Sequence, residues 1–413
     1  MAEPLPTQAE IVVIGAGALG TAIAWQLGVT GKRDVLVLEK SGITHGSTWH
    51  AAGLVGQFRT REDLTRVMQH SVAIFDAIEA ETPVDWRRVG SLRLASSRAR
   101  WDELKDGERQ ARQYGVDYHL VDAAEALRRF PHLSRDGVEG AAWIPGDGYV
   151  DPSAVTLAYA GRARKLGVKI REGCTVTAVA RAGAGWTVTT DTGAVGCETL
   201  VIAAGVWGRA VGALLGQSFP VAALEHQYAV TEKHASIARD LPALRDPDLN
   251  FYLKPDAGAF AIGGWEPATI PVHGSVMPFQ FGQELLGENL DRLQPILEAA
   301  ARRIPLLNDL GLKRIINGPI PVSPDGEPIL GPAPGLPGLY LALGFTSGIA
   351  ASAGAGRALA RWIAEAKPEF PMPSLDPRRF GTAPLTIDEI NGRAVAAYAS
   401  YYALTRTNAS EWK

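Results

Sequence analysis

Residues 10–40, "EIVVIGAGALGTAIAWQLGVTGKRDVLVLEK", constrain this chain more than any other stretch. "EIVVI" has the length and apolarity of a buried parallel strand. "GAGALG" follows at once, "TAIAWQLGVTG" continues as a small-residue helix, and "DVLVLEK" reads as a second buried strand. Gly15, Gly17 and Gly20 thus form G-x-G-x-x-G between a strand and a helix, with Ala18 opening the helix. Glu39 stands 19 residues beyond Gly20, at the end of the next strand. Glycines at these places permit a tight turn, close approach of the backbone to a pyrophosphate, and close strand–helix packing. The helix N-terminus offers free N–H groups and the positive end of its dipole to phosphate. A carboxylate at position 39 accepts from the hydroxyls of an adenosine ribose and repels a 2′-phosphate, which disfavours NADP. The stretch predicts a β-α-β dinucleotide-binding unit.

Two further strand–glycine junctions choose between dinucleotides. They are "TLVIAAGVWG" (Thr199–Gly208) and "LYLALGFTSG" (Leu339–Gly348). A lone NAD domain has little use for them, whereas an extended flavin dinucleotide lying across the sheet does, so FAD is favoured. A helix starting near Ser347 would aim its N-terminal N–H groups at the negative edge of a reduced flavin. Between the junctions the chain changes character. Residues 221–316 read as strands ("AVTEKH", "NFYLKP", "AFAIGG") and then a helix across "FGQELLGENLDRLQPILEAAARRI". Residues 90–140 are more charged and read as a hairpin and helices. The prediction is an α/β chain of two domains: a Rossmann-like FAD-binding domain (1–88, 141–220 and 317–385) with an inserted, mainly antiparallel-sheet substrate domain (89–140 and 221–316). Residues 386–413 are expected to form a C-terminal helix and tail. Thr386 and Glu389 have capping-box spacing, and Tyr398, Tyr401 and Tyr402 are expected to dock on this same protein.

Composition excludes other classes. A net charge of −3 over 413 residues gives no electrostatic case for nucleic acid or an anionic membrane. The two cysteines, Cys174 and Cys197, lack metal-type spacing and read as reduced thiols, with no metal site expected. The N-terminus has no signal-peptide pattern, and no apolar run reaches the roughly 20 residues of a membrane span. The expected setting is cytoplasmic.

Six blocks together, "IVVIGAGALG", "LEKSGITHGSTWHAAGLVGQ", "IPGDGYVDPS", "EHQYAVTE", "NGPIPVSPDGEPILGP" and "GFTSGIAASAGAGRALARWI", resemble the flavin half of the dimethylglycine and sarcosine dehydrogenases. Those enzymes belong to the D-amino-acid-oxidase-like flavoprotein superfamily, and the resemblance runs over roughly residues 8–403. It implies a covalent bond from His50 to FAD, because His50 matches the histidine of that branch's S-T-x-H-A-x-G. An imidazole packed beside a non-covalent flavin is the alternative. Ala52 and Gly53, followed by Leu54, let the backbone approach the ring, while Ser47 and Thr48 face the phosphates or ribityl chain. Lys40, Val176, Gly205, Trp207, Gly344, Thr346, Gly348 and Ile349 complete the candidate cofactor set. His45 is expected to be an exposed loop residue.

The resemblance also places His226 and Tyr252 at the amine site as catalytic residues. Arg59 is a candidate partner for a substrate carboxylate, against the alternative of a solvated arginine. It implies oxidative N-demethylation of a small amine or amino acid, by hydride transfer to flavin and hydrolysis of the iminium. The relatives' folate-binding half has no counterpart here, so the carbon is expected to leave as formaldehyde. One alternative is oxidation of an amino or imino acid at its α-carbon. Another is a flavin-bound regulatory or complex subunit with little turnover. The electron acceptor, oxygen or an electron-transfer protein, and the oligomeric state stay open.

Overall fold

The computed structural model describes residues 4–381 and 383–404; the rest of the expected C-terminal tail lies outside the described residues. The Gln8–Ile14 strand is central to the first sheet, pairing in parallel with Val35–Leu38 on one side and Gly193–Ile202 on the other. Lys169–Arg171 extends the first side, and Leu339–Leu343 the second, both in parallel. Ile329–Pro332 closes the edge in antiparallel pairing. Val12, Val13, Leu36 and Val37 are all fully buried, as continuous apolar runs covered on both faces must be. The helices Ala18–Val29, Pro152–Lys165 and Gly348–Glu365 pack together on one face. At Gly356 a Cβ would fall 2.7 Å from the Ala22 backbone, so glycine sets how closely two of them cross. The hairpin Val176–Ala182 and Gly185–Thr190 covers the other face, turning at Gly183 as the "AGAG" sequence predicts. The Rossmann-like expectation is met.

The second sheet has eight strands, in the order Leu312–Val322, Ala222–Thr231, Ala259–Gly263, Phe251–Asp256, Ala243–Asp246, Ser91–Ala95, Gly140–Ile144 and His119–Val121. Every neighbouring pair is antiparallel except Ala243–Asp246 with Ser91–Ala95. The expected seams at 140/141 and 316/317 fall inside single strands of this sheet. The long helix expected from residue 281 is shorter, running from Leu290 to Arg303. Gly282 and Gly287 keep the preceding residues irregular, and the Asn289 side chain caps the helix by accepting from the Arg292 N–H at 3.1 Å.

The last helix, Ile387–Ala399, forms the full capping box that Thr386 and Glu389 predict. Ile390, Ala394 and Tyr398 pack on Ala222, Leu224 and Val322 of the second sheet and on Trp265, just beyond its Ala259–Gly263 strand. Among the described residues no helix is long and apolar enough to cross a membrane, and Cys174 and Cys197 are free and buried.

Candidate active site

At one end of the first sheet lies a cleft, open to solvent, of about 1160 Å³. Gly15, Gly17, Ala18, Glu39, Lys40, Ser47, Thr48, Val176, Gly205, Trp207, Gly344, Thr346, Gly348 and Ile349 all line it. Gly15 has φ +106°, and a Cβ there would lie 2.5 Å from the Ala203 carbonyl oxygen. Gly20 stands behind the turn, where a Cβ would strike the Gly15 carbonyl, so it packs the helix rather than facing the cleft. One Glu39 carboxylate oxygen accepts from the Ala16 N–H at 2.8 Å and the other from the Ser41 N–H at 2.9 Å. Each oxygen retains capacity for a ribose hydroxyl. Removing this acceptor by Glu39→Ala should weaken dinucleotide binding at least tenfold, since a hydrogen bond to a charged group contributes about 1.5–3 kcal/mol. Unchanged cofactor content and loading rate would refute that placement.

The hydroxyls are partly engaged. Thr48 Oγ1 accepts from the Ala18 N–H at 3.1 Å, capping the first helix, and Ser47 donates to the Pro319 carbonyl at 2.6 Å. Lys40 donates to the Phe281 carbonyl at 2.6 Å and lies 4.3 Å from the Trp207 ring centroid; Trp207 donates to the Pro278 carbonyl at 2.9 Å. These bonds pin residues 278–281 beside the cleft, and burial lowers the Lys40 pKa. His45 corrects the expectation of exposure: it is half-buried and lines the cleft. Its ring packs on Gly42, where a Cβ would come within 2.7 Å of Cε1. Glycine therefore lets the loop fold the imidazole inward. The Gly348–Glu365 helix starts where the sequence predicts, with Ser347 at its cap position and no side chain capping its first turn.

A second cavity shares Ala51, Ile320, Thr346, Gly348 and Ile349 with this cleft. His50, Ala52, Gly53 and Leu54 line it, with Arg59, His226 and Tyr252. The sheet register explains how these groups meet. Tyr228 and Tyr252 both pair with Gly263, from opposite sides. A Cβ on Gly263 would lie 2.3 Å from the Tyr252 hydroxyl, so glycine lets the phenol cross the strand. The hydroxyl then meets His226 Nε2 at 2.8 Å. His226 pairs with Gly318 across the ladder, and the His50 ring lies over Gly318, where a Cβ would be 2.5 Å from Cε1. The two imidazoles are thus held near each other. Burial pulls both pKa values down to about 4, and the proximity of His50 adds to the lowering at His226. Both rings are therefore neutral near pH 7. His50 Nε2 is buried and has no hydrogen-bond partner among the described residues.

Arg59 reaches the cavity, but its Nη1 is held by the carbonyls of Gly56 at 3.0 Å and Phe58 at 2.9 Å. Sequence reading missed two neighbours. Arg245 lines the same cavity and pairs in register with Tyr252. Tyr398, from the last helix, meets His226 Nδ1 at 2.6 Å. Strand alternation leaves Arg245 unmarked, and the tyrosine-rich C-terminus was the one available signal for Tyr398.

A family model described as "FAD dependent oxidoreductase" (DAO) matches residues 10–362. Mitochondrial dimethylglycine dehydrogenase of Rattus norvegicus is 36% identical over 387 residues, covering 91% of this chain and 45% of its own length. The formaldehyde-forming 4-methylaminobutanoate oxidase of Paenarthrobacter nicotinovorans is 33% identical, covering 92% of this chain and 46% of its own. The chain thus spans less than half the length of these curated relatives. The crystal structure of L-proline dehydrogenase from P. horikoshii superposes with a TM-score of 0.84 at 27% identity, covering 92% of this chain and 100% of that one.

Proposed function

The chain belongs to the FAD-dependent oxidoreductase family, and from that premise we propose that it demethylates a small N-methylated amine or amino acid, releasing formaldehyde. The observation that carries this reading is the Tyr252–His226 pair, joined at 2.8 Å in a cavity that shares a wall with the dinucleotide cleft. The names of the dimethylglycine and 4-methylaminobutanoate relatives support the substrate class. The cleft fits FAD: glycines leave room at the turn, Glu39 lines the cleft with acceptor capacity left for a ribose hydroxyl, and an uncapped helix start borders both cavities. Bound FAD supplies a hydride acceptor, and the oxidised amine hydrolyses to formaldehyde and the demethylated amine.

The protein's own residues prepare that reaction. An amine at physiological pH arrives as an ammonium, and hydride loss needs the nitrogen lone pair. Neutral His226 accepts from the Tyr252 hydroxyl through Nε2, and this pair is the path by which the ammonium proton leaves. Arg245 and Arg59 supply positive charge for a substrate carboxylate. Ala51, Ile320 and Ile349 give the shared wall an apolar surface that excludes water. We also assign the covalent FAD link to His50, supported by its buried, unpartnered Nε2. The structural likeness to L-proline dehydrogenase favours a second reading, oxidation at an α-carbon. Anaerobic reduction by N-methyl amines with product analysis decides between them. Demethylation gives one formaldehyde per two electrons. A keto or cyclic imino acid without formaldehyde supports the second reading, and failure of every amine to bleach the flavin supports a regulatory subunit.

A further inference from the structure

Resting on the amine-oxidation reading, we propose that Tyr398 and Glu266 extend the Tyr252–His226 pair into a buried relay that stores the substrate's ammonium proton on the Glu266 carboxylate. The chain of contacts is continuous. Tyr252 Oη lies 2.8 Å from His226 Nε2, His226 Nδ1 lies 2.6 Å from Tyr398 Oη, and Tyr398 Oη lies 3.5 Å from Glu266 Oε2. The last step is the longest. Glu266 is only 1% exposed, and its Oε1 has no hydrogen-bond partner among the described residues. The Gln227 amide beside it donates one N–H to the Asn289 carbonyl at 2.8 Å and accepts from the Asn289 N–H at 3.2 Å, which leaves its other N–H for Glu266. Nearby Arg292 is taken by Glu225.

Burial raises the proton affinity of such a carboxylate, so that in its ionised form it is a ready proton acceptor. Burial raises the Glu266 pKa; the Gln227 amide, Arg292 and the Tyr398 hydroxyl oppose the rise, and Glu225 adds to it. At the other end, Tyr228, Tyr402 and Arg245 surround Tyr252, and His50 neighbours His226. Tyr398 is delivered by a helix anchored through Ile390 and Ala394, so the C-terminal segment completes the relay.

The transfer balances. The ammonium gives its proton to Tyr252 Oη, which passes its own to His226 Nε2. His226 releases its Nδ1 proton to Tyr398 Oη, and Tyr398 passes its own to Glu266. The amine becomes neutral, the carboxylate becomes a carboxylic acid, His226 changes tautomer, and no electrons move. Tyr398 and Glu266 are positioning residues that act through His226.

Glu266→Gln and Tyr398→Phe test this with little change of volume. Anaerobic flavin reduction by an active N-methyl amine is followed from acidic to alkaline pH. The relay predicts that both variants fall at least tenfold below wild type on the acidic limb and much less on the alkaline limb, where the substrate amine is already neutral. The ionisation controlling reduction should move up by at least one pH unit, and the double variant should move it no further. An infrared pH titration of the protein, with and without FAD, should show a protonated-carboxyl band that Glu266→Gln removes and Tyr398→Phe shifts. An unmoved ionisation in either variant overturns the relay, as does a uniform loss at every pH, or a carboxyl band unaffected by Glu266→Gln. If no N-methyl amine reduces the wild-type protein, the function reading fails instead, and the infrared titration alone judges Glu266.

Discussion

Acid-precipitated wild-type protein should stay yellow and fluoresce under ultraviolet light in a denaturing gel, whereas His50→Ala should precipitate white and leave its FAD in the supernatant. The effect is all-or-none because denaturation releases every non-covalent contact and spares one carbon–nitrogen bond. Three properties prepare His50 for that bond. Its Nε2 is buried without a partner among the described residues. Burial lowers its pKa to about 4, so near pH 7 the ring is neutral and has a nucleophilic nitrogen lone pair. The bare backbone of Gly318 lets the ring lie close to the sheet, beside the wall both cavities share. A colourless wild-type precipitate would show that His50 only packs beside the cofactor. In the variant, the phosphate turn and Glu39 remain, so FAD should bind reversibly.

What the sequence made legible follows from how local each requirement is. A pyrophosphate site depends on backbone approach within a few residues, so Gly15, Gly17 and Gly20 carry it in one short motif. Glu39 is readable because the following helix and strand fix its offset. His226 and Tyr252 became legible through resemblance; nothing in a 26-residue separation announces a 2.8 Å contact. Tyr398 stands 172 residues from His226, and only the docking of the last helix brings them together. The same holds for Gly263 and Gly318. Their functional value is a missing side chain opposite a ring that another strand or loop supplies. His45 was misread because polar loop residues are usually solvated, and the pocket over Gly42 exists only once the loop has folded.

Tyr252→Phe should slow flavin reduction by about a hundredfold, the lower end of what a positioned acid–base group contributes. The substitution removes one hydroxyl and leaves the ring in place, so the dinucleotide cleft, which Tyr252 does not line, should load FAD as before. Gly263→Ala offers an independent route to the same defect. Its new methyl would lie 2.3 Å from the Tyr252 hydroxyl and 2.4 Å from Cζ, so the phenol must swing away from His226. The two variants alter different residues and share one broken contact. Stopped-flow reduction should therefore give similar losses, and the double variant should lose little more than either single one. If Tyr252→Phe instead reduces its flavin within twofold of wild type, the hydroxyl carries no proton and His226 alone faces the amine. If Gly263→Ala is far slower than Tyr252→Phe, the glycine is holding more of the cavity than this one contact, and the crossing of the phenol over its strand is not what the reaction depends on.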